Sequence, residues 1–112
     1  GVGKVQKDKL VTTGGAHVGD DIIATKWIGI EGTSIVAREK EEELLNRFSR
    51  SFVETVKSFD QYLSVVPEAA VAVKHGVSAM HDVTEGGIYG ALWEMAEASG
   101  IGLEVDLKSR KP

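Results

Sequence analysis

The sequence predicts an α/β sandwich, a mixed sheet packed by helices, and three observations carry that expectation. Short β-branched or alternating runs recur at residues 21–28, 77–81 and 101–107. Between them lie segments whose apolar residues return every three or four positions, the period of a helix. Glycine pairs stand where a run ends and a helical pattern begins, at Gly29 and Gly32 and at Gly86 and Gly87.

Residues 21–28 read Asp-Ile-Ile-Ala-Thr-Lys-Trp-Ile after a Val18-Gly19-Asp20 turn signal, and apolar residues on both faces suggest a central strand. Val11 to Thr13 is a short strand candidate before it. Gly29 and Gly32 bracket a tight loop, and Thr33 is a candidate cap for a helix through Ile35, Val36 and Ala37. The charged run 38–43 reads as a solvated helical face. Leu45, Phe48, Phe52, Val56, Phe59 and Leu63 form one helical stripe. Ser49 and Ser51 interrupt it, and Ser51 with Glu54 has the capping-box pattern, so a break is expected near Ser49 and a second helix over 52–63.

Pro67 suits a first helical turn, Glu68 its positive end and Gly76 its C-terminal stop. The apolar residues 69–73 between them predict a buried helix. Strand 77–81 should follow, then a helix in which Ile88, Leu92, Met95 and Ser99 share a face, ended by Gly100. Ile101, Leu103, Val105 and Leu107 alternate with Gly102, Glu104 and Asp106, the pattern of a half-buried strand.

Composition narrows the function classes. The chain has 112 residues, 42% hydrophobic and 27% charged, which describes one ordinary globular domain. It has no cysteine, so disulfides, thiolate metal sites and cysteine nucleophiles are excluded. No stretch has the length of a membrane span or the pattern of a signal peptide, so neither a membrane nor a secreted location is expected and a cytoplasmic one fits. Net charge is −4, and the basic residues gather only near the ends, which argues against a nucleic-acid partner. Gly1 is not an initiator Met, and the 108–112 tail follows a strand pattern directly, so the chain is expected to be a piece of something longer.

The motif His81-Asp82-Val83-Thr84-Glu85-Gly86-Gly87 has the parts of a phosphate or metal-phosphate site. Glycines let backbone approach a ligand, the first helical N–H groups favour an anion, and a carboxylate can hold a divalent cation. Asp82 and Thr84 before a helix are equally ordinary capping residues. His81 can touch a phosphate, act as an acid, or simply be a packed histidine. Glu85 would repel phosphate unless a cation intervened, and otherwise points to solvent. Glu94, Glu97 and His17 read as surface residues, Trp27 and Trp93 as core or domain-interface residues, and Gly29, Gly32 and Thr33 as a candidate substrate-side loop.

With these residues in view, the chain resembles the C-terminal domain of the aminoimidazole ribonucleotide (AIR) synthase superfamily, the PurM-like fold. The similarity lies in the Gly19-Asp20 opening with its run to Gly29, in the motif from Gly76 to Gly87, and in the helix from Ala91 to Ser99-Gly100. The nearest members are AIR-synthase-related proteins allied to the hydrogenase maturation factor HypE. Their typical Asp-Pro-Thr-Arg-Gly-Gly has Val83 for the Pro and Glu85 for the Arg here, whereas selenophosphate synthetase shares Asp82-Val83-Thr84.

That resemblance implies a two-domain, dimeric, ATP- and magnesium-dependent protein acting on a small substrate. Its N-terminal domain, absent from this chain, supplies most of the metal and nucleotide ligands and is the partner of this domain. It implies Asp82 as a metal ligand and Thr84, Gly86 and Gly87 as phosphate contacts, with Gly29, Gly32 and Thr33 nearby. The cysteine tail that HypE uses as carbamoyl acceptor is missing. A non-catalytic binding module that retains the fold is the alternative.

Overall fold

Helix-forming stretches bounded by glycine, serine and proline make up the ordered part of a computed structural model that describes residues 2–106. Five α-helices are present: α1 (Ile30–Glu39), α2 (Glu41–Leu45), α3 (Arg50–Lys57), α4 (Val66–His75) and α5 (Gly87–Ser99). Short 3-10 turns occupy Lys7–Lys9 and Ser58–Tyr62. The punctuation follows the sequence closely. Ser49 caps α3 by accepting from the Phe52 N–H, Pro67 lies in the first turn of α4, and Gly76 and Gly100 close α4 and α5. The cap of α3 is Ser49 rather than Ser51, whose hydroxyl lies 3.1 Å from that of Ser49.

The expected mixed sheet is not formed: among the described residues there is no strand. A strand exists only where a second one completes its ladder, and alternation records which side chains fit a half-buried surface rather than whether a partner is in reach. In 21–28, Lys26 takes a left-handed φ of 60°, outside the extended region, and Ile22, Ile23, Trp27 and Ile28 are all at least half exposed. In 77–81 a single rung forms, Met80 N–H to Thr12 O at 3.3 Å. Beyond α5, Ile101 N–H returns to Ala96 O, and Leu103 and Val105 are exposed. Leu107, the end of that expected strand, lies outside the described residues, as does the 108–112 tail.

Two small cores organise the chain. In the first, α1, α2, α3 and the 58–62 turn pack around Ala37, Val53 and Val56. Lys57 ties α2 to α3 through Glu41 at 3.0 Å, and Arg38 of α1 pairs with Asp60. The second core buries Ala91 and Leu92 of α5. Here the N-terminal segment lies along the helix: Ser99 Oγ accepts from Ala16 N–H and donates to Thr13 O, and Thr13 Oγ1 donates to Met80 O. Gly14 allows this approach, because a Cβ there would stand 2.7 Å from the Ala98 carbonyl oxygen.

Helix α4 is not buried as its composition suggests. None of its residues is enclosed, and Val66, Val71 and Val73 are exposed. Lys26 reaches it by pairing with Glu68 at 2.9 Å while donating to Tyr62 O and Ser64 O. With so little helix packed on helix, the radius of gyration is 16.9 Å, against about 13 Å for a close-packed domain of this length.

Candidate functional site

The glycine motif sits between the 77–81 segment and α5, and its backbone is fixed by two consecutive left-handed glycines. Gly86 (φ 76°) is the N-cap of α5 and Gly87 (φ 62°) its first residue. Few other residues adopt that conformation without strain. Gly87 N–H closes a turn on Thr84 O at 3.2 Å, and Gly90 N–H bonds Gly86 O at 3.1 Å. No side chain caps the helix. The capping reading of Asp82 and Thr84 therefore finds no support, and the positive end of α5 is left open. Asp82, Thr84 and Glu85 are exposed on the approach to it.

His81 and Glu94 are the residues that sequence reasoning undervalued. The imidazole is only 17% exposed, with Nε2 donating to Glu94 Oε2 at 2.5 Å and Nδ1 donating to the Asp82 carbonyl oxygen at 2.5 Å. Nδ1 also lies 3.3 Å from Asp82 Oδ1. Both nitrogens face acceptors, and only the doubly protonated ring donates to both. The Glu94 hydrogen bond accordingly raises the His81 pKa above the usual imidazole value, against a smaller opposing effect of burial. The available signal was topological. A loop that reverses onto the helix it opens brings the residue before the loop beside the second turn of that helix.

Asp82 and Glu94 each contact His81, on opposite ring nitrogens, so their carboxylates do not converge. Among the described residues no group of three His, Asp or Glu side chains could hold a metal ion. Asp82 is thus available as one carboxylate ligand and not as part of a complete metal cage. The 77–81 segment before the motif is in turn linked to the N-terminal segment, through Asp20 and Ser78. Asp20 accepts from His17 N–H at 2.9 Å, and this bond, then one from Ser78, lowers its pKa.

The structure does not bring the two glycine loops together. Gly29 (φ 80°) also opens a helix, but Thr33 sits inside α1, where its hydroxyl donates to Gly29 O at 2.6 Å instead of capping. Gly32 and Thr33 line an open apolar groove with Val36, Phe48, Phe52 and Val53, in which Phe48 and Phe52 stack at 5.1 Å. That is poor chemistry for phosphate. Trp27 stacks on Phe59 at 5.6 Å yet stays exposed, as do Tyr89 and Trp93 of α5. No helix of the described residues is long and apolar enough to cross a membrane.

The site is thus a helix opened by two left-handed glycines and preceded by an exposed aspartate and threonine. Residues 17–112 match the family described as AIR synthase related protein, C-terminal domain, and the chain belongs to it. It is 32% identical over 105 residues to a Methanocaldococcus jannaschii protein named for hydrogenase expression and formation, covering 94% of this chain and 29% of that one. It is 30% identical over 106 residues to the carbamoyl dehydratase HypE of Cupriavidus necator, covering 95% and 28%. It is 32% identical over 106 residues to selenide, water dikinase 2 of Peptoclostridium acidaminophilum, again covering 95% and 28%. The chain thus spans less than a third of the length of these relatives. No solved structure matches it significantly.

Proposed function

We propose that this chain is the C-terminal domain of an ATP-dependent AIR-synthase-related protein, and that residues 82–87 form one wall of a cleft for magnesium-ATP and a small substrate. The observation that carries this reading is the uncapped N-terminus of α5, reached through Gly86 and Gly87 and flanked by exposed Asp82 and Thr84. Free N–H groups at a helix start favour phosphate oxygens, and a carboxylate beside them supplies the hard oxygen that magnesium prefers. Phosphoryl transfer depends on positioning and charge neutralisation, which such a loop can provide. The family membership supports the assignment, and one relative is by name a dikinase.

In this reading Asp82 contacts the cation, and Thr84, Gly86 and Gly87 contact phosphate. The other ligands come from a preceding domain, which also builds a homodimer in the cytoplasm. Gly32 and Thr33 line an apolar groove, which does not favour a phosphate role for them, and this reading assigns none to them or to Gly29.

The test is magnesium-dependent ATP turnover by the full-length protein, screened against small carboxylates, amides and phosphates. Turnover that responds to one of these classes is expected. A full-length protein that binds no magnesium-ATP would overturn the proposal. One feature favours the alternative of a binding module without chemistry: the exposed carboxylate of Glu85 stands inside the phosphate-facing turn. ATP binding without turnover against any of the three classes would support that alternative.

A further inference from the structure

His81 and Glu94 join the approach to the glycine loop to the body of α5. The loop's other ties to the helix are backbone turns, Gly87 to Thr84 and Gly90 to Gly86, and neither restrains the Asp82 side chain. Glu94 stands on a regular helix of 13 residues, whereas Asp82 stands on irregular backbone. The imidazole is rigid and planar. Once Nε2 is anchored on Glu94, the direction of Nδ1 is set, and with it the place of the Asp82 carbonyl and carboxylate against the ring. A histidine held by a carboxylate on one nitrogen so that the other is correctly aimed is a recurring way of orienting polar sites.

We propose that Glu94 is a positioning residue, holding Asp82 through His81 in the orientation in which it meets a nucleotide-bound cation. This rests on the reading of Asp82 as the cation-facing carboxylate. Glu94 touches neither cation nor nucleotide. Its side chain is half exposed and lies on the outer face of α5, so its loss leaves the buried Ala91 and Leu92 in place.

The experiment measures magnesium-ATP affinity by calorimetry, and thermal stability, for the full-length protein and four variants: Glu94→Ala, Glu94→Gln, Asp82→Asn and the Glu94→Ala/Asp82→Asn double. Imidazole NMR of each unliganded protein reports whether the His81 Nε2 proton is held. Glu94→Ala should release that proton and weaken affinity about tenfold, the lower end of what loss of an orienting partner costs. Glu94→Gln, whose amide oxygen still accepts from Nε2, should stay close to the parent. In the Asp82→Asn background, Glu94→Ala should cause no further loss, because both act through one group.

Unchanged affinity in Glu94→Ala, with Asp82→Asn weakened, would overturn the positioning role and leave Asp82 as ligand. Additive losses in the double variant, or equal losses in Gln and Ala, would also overturn it. Unchanged affinity in Asp82→Asn would instead remove the reading on which the inference rests. If Glu94→Ala does not fold, His81→Ala breaks the same link from the other end, and the same comparisons decide.

Discussion

His81 Nε2 lies 2.5 Å from Glu94 Oε2, and this one contact fastens the residue before the glycine loop to the second turn of the helix after it. It also makes the domain sensitive to pH. The His81 pKa is raised, chiefly by the Glu94 hydrogen bond, above the unfolded value of about 6.5. The native state therefore holds the proton more tightly than the unfolded chain does. The resulting stabilisation is fully present below about pH 6.5 and is lost as pH rises through the folded pKa. An NMR titration should show His81 titrating above the ordinary imidazole value, and Glu94→Gln should bring its midpoint down. A His81 midpoint at or below 6.5 would show that the contact is not held in solution.

The two glycines should differ in their response to alanine. At Gly87 a Cβ meets open space, so Gly87→Ala is opposed only by its left-handed backbone, at about 1–2 kcal/mol. At Gly86 the Cβ would also press on Gly90 Cα at 3.3 Å. Chemical denaturation should rank Gly86→Ala as the more destabilised of the two, and the reverse order would contradict this loop geometry.

The cap of α3 offers a test of the first core. Ser49→Ala removes the acceptor for Phe52 N–H and should cost about 1 kcal/mol. Ser51→Ala should cost clearly less, since the Ser51 hydroxyl only contacts that of Ser49. Thermal melts of both variants would reveal equal costs if the cap were shared.

These caps show what could be read from the sequence. Helix boundaries were legible because their determinants are local: Pro67 opens α4, and Gly76 and Gly100 stop α4 and α5 within a few residues of the apolar stripe they end. Strands were not, because pairing is non-local. The Ile101, Leu103 and Val105 alternation is real, yet Leu103 and Val105 are exposed and form no ladder. The same limit applies to the site. Gly86 and Gly87 were legible as a loop before a helix, whereas the His81–Glu94 contact spans 13 residues and depends on how the loop folds back.

The isolated chain should bind magnesium-ATP more weakly than about 1 mM, equivalent to roughly 4 kcal/mol of binding free energy. Among its described residues no three acidic or histidine side chains converge on a metal position. Calorimetry on residues 1–112 alone checks this, and tight magnesium-dependent binding would contradict the proposal that a preceding domain supplies most of the ligands.

The most direct test of the central claim compares Asp82→Asn with Asp82→Ala in the full-length protein, measuring thermal stability and magnesium-ATP affinity together. Asn is nearly isosteric, and Asp82 caps no helix here, so neither variant should lose much stability. Both should lower affinity by at least about tenfold, roughly 1.4 kcal/mol, because both remove the charge that a hard cation takes from its oxygen ligand. Parent-like affinity in Asp82→Asn, with only a stability loss in Asp82→Ala, would mean that Asp82 is structural and that the nucleotide-facing loop has been misassigned.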